Sequence, residues 1–447
     1  MKAKLPYLVA LLALLLYLPP ERSAFWFDEV YTARLATFPL ETAWRELRED
    51  AHPPLFYALL RGYAGLLGLR DGPDRPSPPA GVEASLRLPN ALVGAATVFV
   101  VSRFGHPLAG LLLLASPFWD LKVREARMYP LFAFLLTLSY AFLLQGRPFG
   151  AGLFGALALW THYLGLLYAP LLGLPLLLKR KAYALLPYLS FLLWLPVFAP
   201  SLGRGTNAHL RPDPVSNVAA IGELGGYPLG LALMAVPLLA AYARRKEPER
   251  VYLLLLPYLL VLAWWLTGYL MNTASPRYWG AFLPPMALSL GVALREAPFT
   301  PPFRKSLAAL LLLAGAGGVY LVAVNPAKAL YEGYDQHAAL LRAMEGRGRP
   351  LVLGNEPSRL LSLVYYYRSP EAELLVPDPD LARLGEPWRE RPVLLYLNGS
   401  FIGLEGVPPL EDLFRPLKRE GCHLAFLAEA GILAVPVLCP EVGRVPR

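Results

Sequence analysis

Residues 162–200 read HYLGLLYAPLLGLPLLLKRKAYALLPYLSFLLWLPVFAP, two apolar runs of nearly membrane-span length hinged on Lys179-Arg180-Lys181. A helix needs roughly 20 apolar residues to cross a bilayer core. Cytoplasmic loops of membrane proteins collect Lys and Arg, so the hinge places these two runs as a pair entering and leaving from that side. The same pattern runs along the chain. Apolar blocks fall at about 5–20, 86–103, 106–118, 130–144, 148–161, 162–178, 183–200, 220–242, 251–271, 278–294 and 306–324. Cations follow every second block: Arg103, Arg147, Lys179-Arg180-Lys181, Arg244-Arg245-Lys246, and Arg295 with Arg304 and Lys305. An in-out weave of 11 helices with a cytoplasmic N-terminus satisfies this parity and puts 325–447 outside the cytoplasm. The expected location is the cell's inner (plasma) membrane.

Composition points the same way. Of 447 residues, 55% are hydrophobic and 17% charged, whereas soluble domains carry about 25% charged residues. The 46 Pro and 37 Gly do not signal low complexity, because the apolar residues come in long blocks. A soluble enzyme, a fibrous protein and a disordered chain are excluded. The net charge of +9 would suggest nucleic acid in a soluble protein. Here the positive-inside bias accounts for it, and no nucleic-acid partner is expected. Cys422 and Cys439 admit one disulfide, if their region is extracytoplasmic, or two free buried thiols.

Met1-Lys2-Ala3-Lys4 and the run after it look like a signal peptide without a small-residue cleavage site, hence an uncleaved first helix. The stretch 21–52 mixes charge with Phe25, Trp26, Phe27, Tyr31, Phe38 and Trp44, as amphipathic helices at a membrane interface do. Residues 53–69, with Arg61 at their middle, are expected to be interfacial too, and 70–85 to be a loop on the same side. In the tail, 351–354, 374–376 and 393–397 read as short buried strands, with a helix within 356–368. The expected organisation is a transmembrane domain over 1–324 and a small extracytoplasmic α/β domain over 325–447.

Ionisable residues at membrane depth are costly, so those that persist are site candidates. Within this weave, four groups fall on the outer side. Asp28-Glu29 follow the first span; adjacent carboxylates point to different helix faces, so one can meet a substrate while the other holds a cation. The alternative is an ordinary helix start, where acids satisfy exposed N–H groups. His52, ahead of Pro53-Pro54-Leu55, is either held at the interface or part of a plain helix-start turn. The stretch from Asp120 to Pro130 crowds Asp120, Lys122, Arg124, Glu125 and Arg127 into one short outer loop, with Asp120–Arg124 and Glu125–Tyr129 at helix-turn spacing. Cations there violate the positive-inside rule, which argues for an anionic ligand; a solvated loop cap is the alternative. Finally, Arg277-Tyr278 at a span entrance either clamps a phosphate or snorkels. Carboxylates and guanidiniums around one outward cavity suit group transfer from a phosphate leaving group, with an acid as general base.

The order Asp28-Glu29, His52-Pro53-Pro54-Leu55, Arg87-Leu88-Pro89, Arg124-Glu125-Ala126-Arg127-Met128-Tyr129 and Arg277-Tyr278 resembles the GT-C superfold. The similarity is to the protein O-mannosyltransferases and the lipid A aminoarabinose transferases, over about residues 5–295. That resemblance implies an inverting glycosyltransferase using a polyprenyl-phosphate sugar, with membrane lipids around it and an acceptor that is a lipid, an envelope polymer or a protein. It implies Asp28 as the base that activates the acceptor, Glu29 as its neighbour, Arg127 and Arg277 on the lipid phosphate, and Tyr129 and Tyr278 lining the pocket. Arg87, His52, Arg124 and Glu125 join as substrate-binding candidates. Two departures stand out. Phe56-Tyr57 replaces the Gly-Lys usual in mannosyltransferases, and the Asp-x-Asp motif of oligosaccharyltransferases is missing from 119–129. No cofactor is implied and a divalent metal is not required. The alternative functions are a transporter or flippase for a lipid-linked glycan, which needs no general base, and an inactive binding subunit.

Overall fold

A computed structural model describes residues 4–18, 23–48, 52–72, 75, 77–179, 181–199, 227–270, 276–296, 299–325, 332–346, 348–354, 357–368, 373–375, 392–398, 423–424, 427–429 and 432–438. The chain divides into two compact units, Met1–Glu21 with Leu40–Leu67 and Ala84–Lys328, and Arg22–Pro39 with Gly68–Glu83 and Ala329–Arg447. The second unit is therefore discontinuous: it takes in two stretches that precede residue 84 besides the tail. Both cysteines lie outside the described residues.

The first unit is helical and apolar. Among the described residues, three helices are long and apolar enough to cross a membrane by length and composition: Val82–Gly105, Pro248–Thr267 and Pro301–Val324. A fourth forms if Pro117–Arg124 and Tyr129–Leu144, bent by 117°, count as one span. Pro301–Val324 exposes Leu310, Leu313, Tyr320 and Leu321, a surface stable against hydrocarbon and costly against water. This is a membrane protein. The other expected blocks form shorter or broken helices, including Leu5–Tyr17, Pro148–Thr161 and Gly165–Leu178. The block at 183–200 breaks into Ala182–Leu185, Leu186–Phe191 and Leu195–Phe198, with Pro187 and Pro196 near the starts of the last two. The block at 106–118 also divides. Pro107–Leu114 ends at Ala115, then the Ser116 hydroxyl accepts from the Trp119 N–H and caps a new helix, Pro117–Arg124. The stretch read as a charged loop is thus partly helical.

Prolines inside helices leave carbonyls four residues back without a partner, and hydrocarbon supplies none. Tyrosines on neighbouring helices fill the gap. Pro175 frees the Leu171 carbonyl, which accepts from the Tyr252 hydroxyl at 2.6 Å. Pro257 frees that of Leu253, which accepts from Tyr140 at 2.7 Å, while the Ser289 hydroxyl donates to the adjacent Leu254 carbonyl at 2.6 Å. Pro237 frees that of Leu233, which accepts from Tyr258. These bonds join five helices. Elsewhere two helices cross backbone to backbone: a Cβ at Gly291 would lie 2.8 Å from the Gly105 Cα, so no larger residue fits.

The second unit contains a mixed sheet of order β2-β1-β3-β6-β4, with β5 (Leu427–Glu429) also on β6. The strands are β1 Leu351–Gly354, β2 Glu373–Leu375, β3 Val393–Asn398, β4 His423–Leu424 and β6 Ile432–Leu438. β1 pairs parallel with β2 (Val352 opposite Leu374) and with β3 (Val352 opposite Leu394), and β6 closes antiparallel on β3. Parallel neighbours need a crossover, and helix Pro357–Tyr367 is the one from β1 to β2. The expected strands and helix of the tail lie within a residue or two of these elements. The stretch Phe27–Thr37, read as interfacial, buries Val30, Ala33, Leu35 and Ala36 within this unit. Arg368 donates to both oxygens of Asp71, at 2.5 and 2.7 Å, with both side chains almost wholly buried. The Tyr366 hydroxyl accepts from the Phe25 N–H at 2.6 Å and donates to Glu83 at 3.3 Å.

Candidate functional site

The turn between Pro117–Arg124 and Tyr129–Leu144 carries the chemistry of the first unit. Asp120, Lys122, Arg124, Glu125 and Arg127 are all buried, so the solvated loop cap does not describe them. Asp120 accepts from Arg124 Nε at 2.9 Å, the pair expected from helix spacing. The Arg124 guanidinium also donates to the Leu16 carbonyl at 2.9 Å, at the end of the first helix. Glu125 pairs with Lys122 at 3.0 Å. The helical spacing expected between Glu125 and Tyr129 is absent, because the helix stops at Arg124 and Glu125 is extended (φ −91°, ψ 141°).

Asn90 sets the shape of that turn. Its side-chain amide donates to the carbonyls of Glu125 and Arg127, both at 2.6 Å. It follows Arg87-Leu88-Pro89 on helix Val82–Val100, on which Arg87 is fully buried. A small apolar cavity of about 130 Å³ opens beside it, lined by Phe56, Leu60, Tyr63, Pro89, Val93 and Leu131.

A ring cluster sits at the start of the next helix. Tyr129 lies 5.9 Å from Tyr278 and 5.6 Å from His162, centroid to centroid. His162 is 5.2 Å from His52, 5.3 Å from Phe132 and 5.8 Å from Tyr278. Lys122 Nζ stands 5.4 Å from the Tyr129 ring, within cation–π range. The structure thus gathers His52, Tyr129 and Tyr278 with Lys122. Arg277 occupies the turn Pro276–Ala281; its side chain lies outside the described residues.

Sequence reasoning missed His162 and Asn90. His162 lies between Pro148–Thr161 and Gly165–Leu178, and its Nδ1 accepts from the Leu164 N–H at 3.1 Å. Its Nε2 is buried with no partner among the described residues, a defect worth about 1–3 kcal/mol. A histidine between two apolar blocks was the available signal.

In the second unit, Asp28 and Glu29 stand in the first turn of Phe27–Thr37, where carboxylates suit the helix dipole. They differ sharply: Glu29 is fully buried and Asp28 only half-buried. The Phe27 N–H at that terminus donates to Glu332 at 2.8 Å.

The chain has the GT-C fold, as its likeness to solved structures shows. The chain is similar to ArnT, the lipid A aminoarabinose transferase, from Cupriavidus metallidurans in the apo state, with a TM-score of 0.58 and 14% identity over 96% of this chain and 97% of that one. The same protein bound to undecaprenyl phosphate matches with a TM-score of 0.58 and 14% identity over 99% of both chains. The oligosaccharyltransferase of Archaeoglobus fulgidus in the apo form matches with a TM-score of 0.53 and 12% identity, over 82% of this chain and 64% of that one. No family model and no curated protein sequence matches the chain.

Proposed function

We propose that the protein is a glycosyltransferase that moves one sugar from a polyprenyl-phosphate donor to an acceptor hydroxyl outside the cytoplasm, inverting the anomeric centre. The observation that carries this reading is the buried ionised turn 120–127 inside an apolar helical unit, because hydrocarbon-buried charge persists only where it has work to do. The fold shared with ArnT bound to undecaprenyl phosphate supports the donor class.

In this reading Asp28, the more accessible acid, takes the proton from the acceptor hydroxyl. The hydroxyl oxygen bonds to the anomeric carbon as the bond from that carbon to the phosphate oxygen breaks, and the electron pair leaves with the polyprenyl phosphate. Arg127 and Arg277 hold that phosphate, and Tyr129 and Tyr278 line its surroundings. Glu29 stays buried and shapes the helix start. His52, Arg87, Arg124 and Glu125 support substrate binding. The acceptor is a lipid, an envelope polymer or a protein. The N-terminus lies in the cytoplasm and residues 325–447 outside, so a reporter that folds only in the cytoplasm stays silent at residue 340.

Mass spectrometry of envelope lipids, polymers and proteins, with the gene present and deleted, tests the reading. Deletion removes one sugar increment from one class of molecule. An unchanged glycan profile overturns it.

A further inference from the structure

His162 has a feature that packing does not explain. The Leu164 N–H occupies Nδ1 as an acceptor, which fixes the ring's proton on Nε2 when the imidazole is neutral. That Nε2–H is buried and meets no acceptor among the described residues. The ring is held on several sides, by His52, Phe132, Tyr129 and Tyr278 at centroid distances from 5.2 to 5.8 Å. Its own backbone is fixed as well: the His162 N–H donates to the Ala158 carbonyl, and its carbonyl accepts from the Gly165 N–H at 2.9 Å. A donor so rigidly held gains most from an acceptor that arrives with the ligand.

We infer that His162 donates its Nε2–H to a phosphate oxygen of the bound polyprenyl-phosphate lipid. Lys122, paired with Glu125, stands over the face of Tyr129, one of the ring's neighbours, and Arg127 is buried on the same turn. A fixed, buried N–H in a ring cluster that a cation also lines matches an anion with several acceptor oxygens better than it matches a sugar hydroxyl. His162 is then a binding residue for the leaving group. The inference rests on the proposed donor class and adds a specific contact to it.

The test is binding of undecaprenyl phosphate, and separately of undecaprenol, to full-length protein in nanodiscs. His162→Phe keeps the ring packing and removes the donor; His162→Gln keeps a donor of similar reach. The His162→Phe variant should bind undecaprenyl phosphate about tenfold or more weakly than wild type, a charge-assisted hydrogen bond being lost. Its affinity for undecaprenol should not change, and His162→Gln should recover part of the phosphate affinity. Thermal unfolding of each variant checks that it is folded. If wild type binds and His162→Phe binds undecaprenyl phosphate equally well, this inference fails alone. An equal loss of affinity for undecaprenol and undecaprenyl phosphate also overturns it, as that marks lost packing. A wild type that prefers neither lipid overturns the donor class and this inference with it.

Discussion

The hydroxyl of Tyr140 donates to the backbone carbonyl of Leu253 across 2.7 Å, and that carbonyl is the one Pro257 leaves without a helical partner. A sequence defect on one helix is matched by a side chain on another. Two further proline–tyrosine pairs repeat the arrangement, so the prolines and the tyrosines belong to one design. The bonds stabilise a particular packing of helices in a medium where apolar contacts alone discriminate poorly between packings.

Tyr140→Phe should therefore destabilise the protein by about 1 kcal/mol, the usual range for an interhelical bond in a membrane. In a Pro257→Ala background residue 257 regains an N–H for the Leu253 carbonyl, and the same substitution should cost clearly less. Unfolding titrations of the four proteins give the coupling. Equal costs in both backgrounds would show that the hydroxyl does not substitute for the missing helical bond.

Asn90 makes a second prediction. Removing its amide by Asn90→Leu leaves the Glu125 and Arg127 carbonyls without that donor, at a cost of about 2 kcal/mol. Loosening of the 125–129 turn should weaken undecaprenyl phosphate binding along with stability. Asn90→Asp should not rescue it, since a carboxylate has nothing to donate. Retained affinity in Asn90→Leu would mean that the turn holds its shape by other contacts.

Asp28→Asn separates transfer from transport. Loss of a general base should lower release of polyprenyl phosphate from a polyprenyl-phosphate sugar by about 10²–10⁴-fold, with donor affinity unchanged. A flippase would move the same lipid at the wild-type rate. Full turnover in Asp28→Asn would remove Asp28 from the chemistry.

His337 gives the second unit a pH dependence. Burial holds its imidazole down to about 4 from an ordinary 6.5, and its Nδ1 lies 3.0 Å from the Tyr396 hydroxyl. Between these values the unfolded chain binds a proton that the folded one does not, so stability falls as the pH drops from 6.5 towards 4. The loss approaches about 3 kcal/mol at pH 4. Chemical unfolding at pH 7 and pH 4.5 should show it, and His337→Gln should reduce the difference. An unaltered slope in that variant would assign the effect elsewhere.

Much of the fold was legible because hydropathy is a sum over neighbours in sequence. The blocks at 130–144, 148–161 and 306–324 coincide with the helices Tyr129–Leu144, Pro148–Thr161 and Pro301–Val324. The block at 106–118 misled, because block-averaged hydropathy does not register Ser116-Pro117 ending one helix and starting another. Of the candidate site, Asp120–Arg124 was legible from spacing along one helix. Glu125–Tyr129 was not, since the helix it needed ends one residue too early.

Sequence by itself determined that this chain is helical and apolar over its first three quarters, that its tail alternates short strands with helix, and that charges gather at 120–127. Each of those is a local property, set by residues within a turn or a few turns of one another. Tertiary structure alone decided which tyrosine satisfies which proline-freed carbonyl, that Asn90 fixes the turn before Tyr129, and that His162 enters the ring cluster with His52 and Tyr278. Those pairings join residues from 25 to 116 positions apart. The energy of such a contact depends on how helices pack, and no stretch of neighbouring residues encodes that.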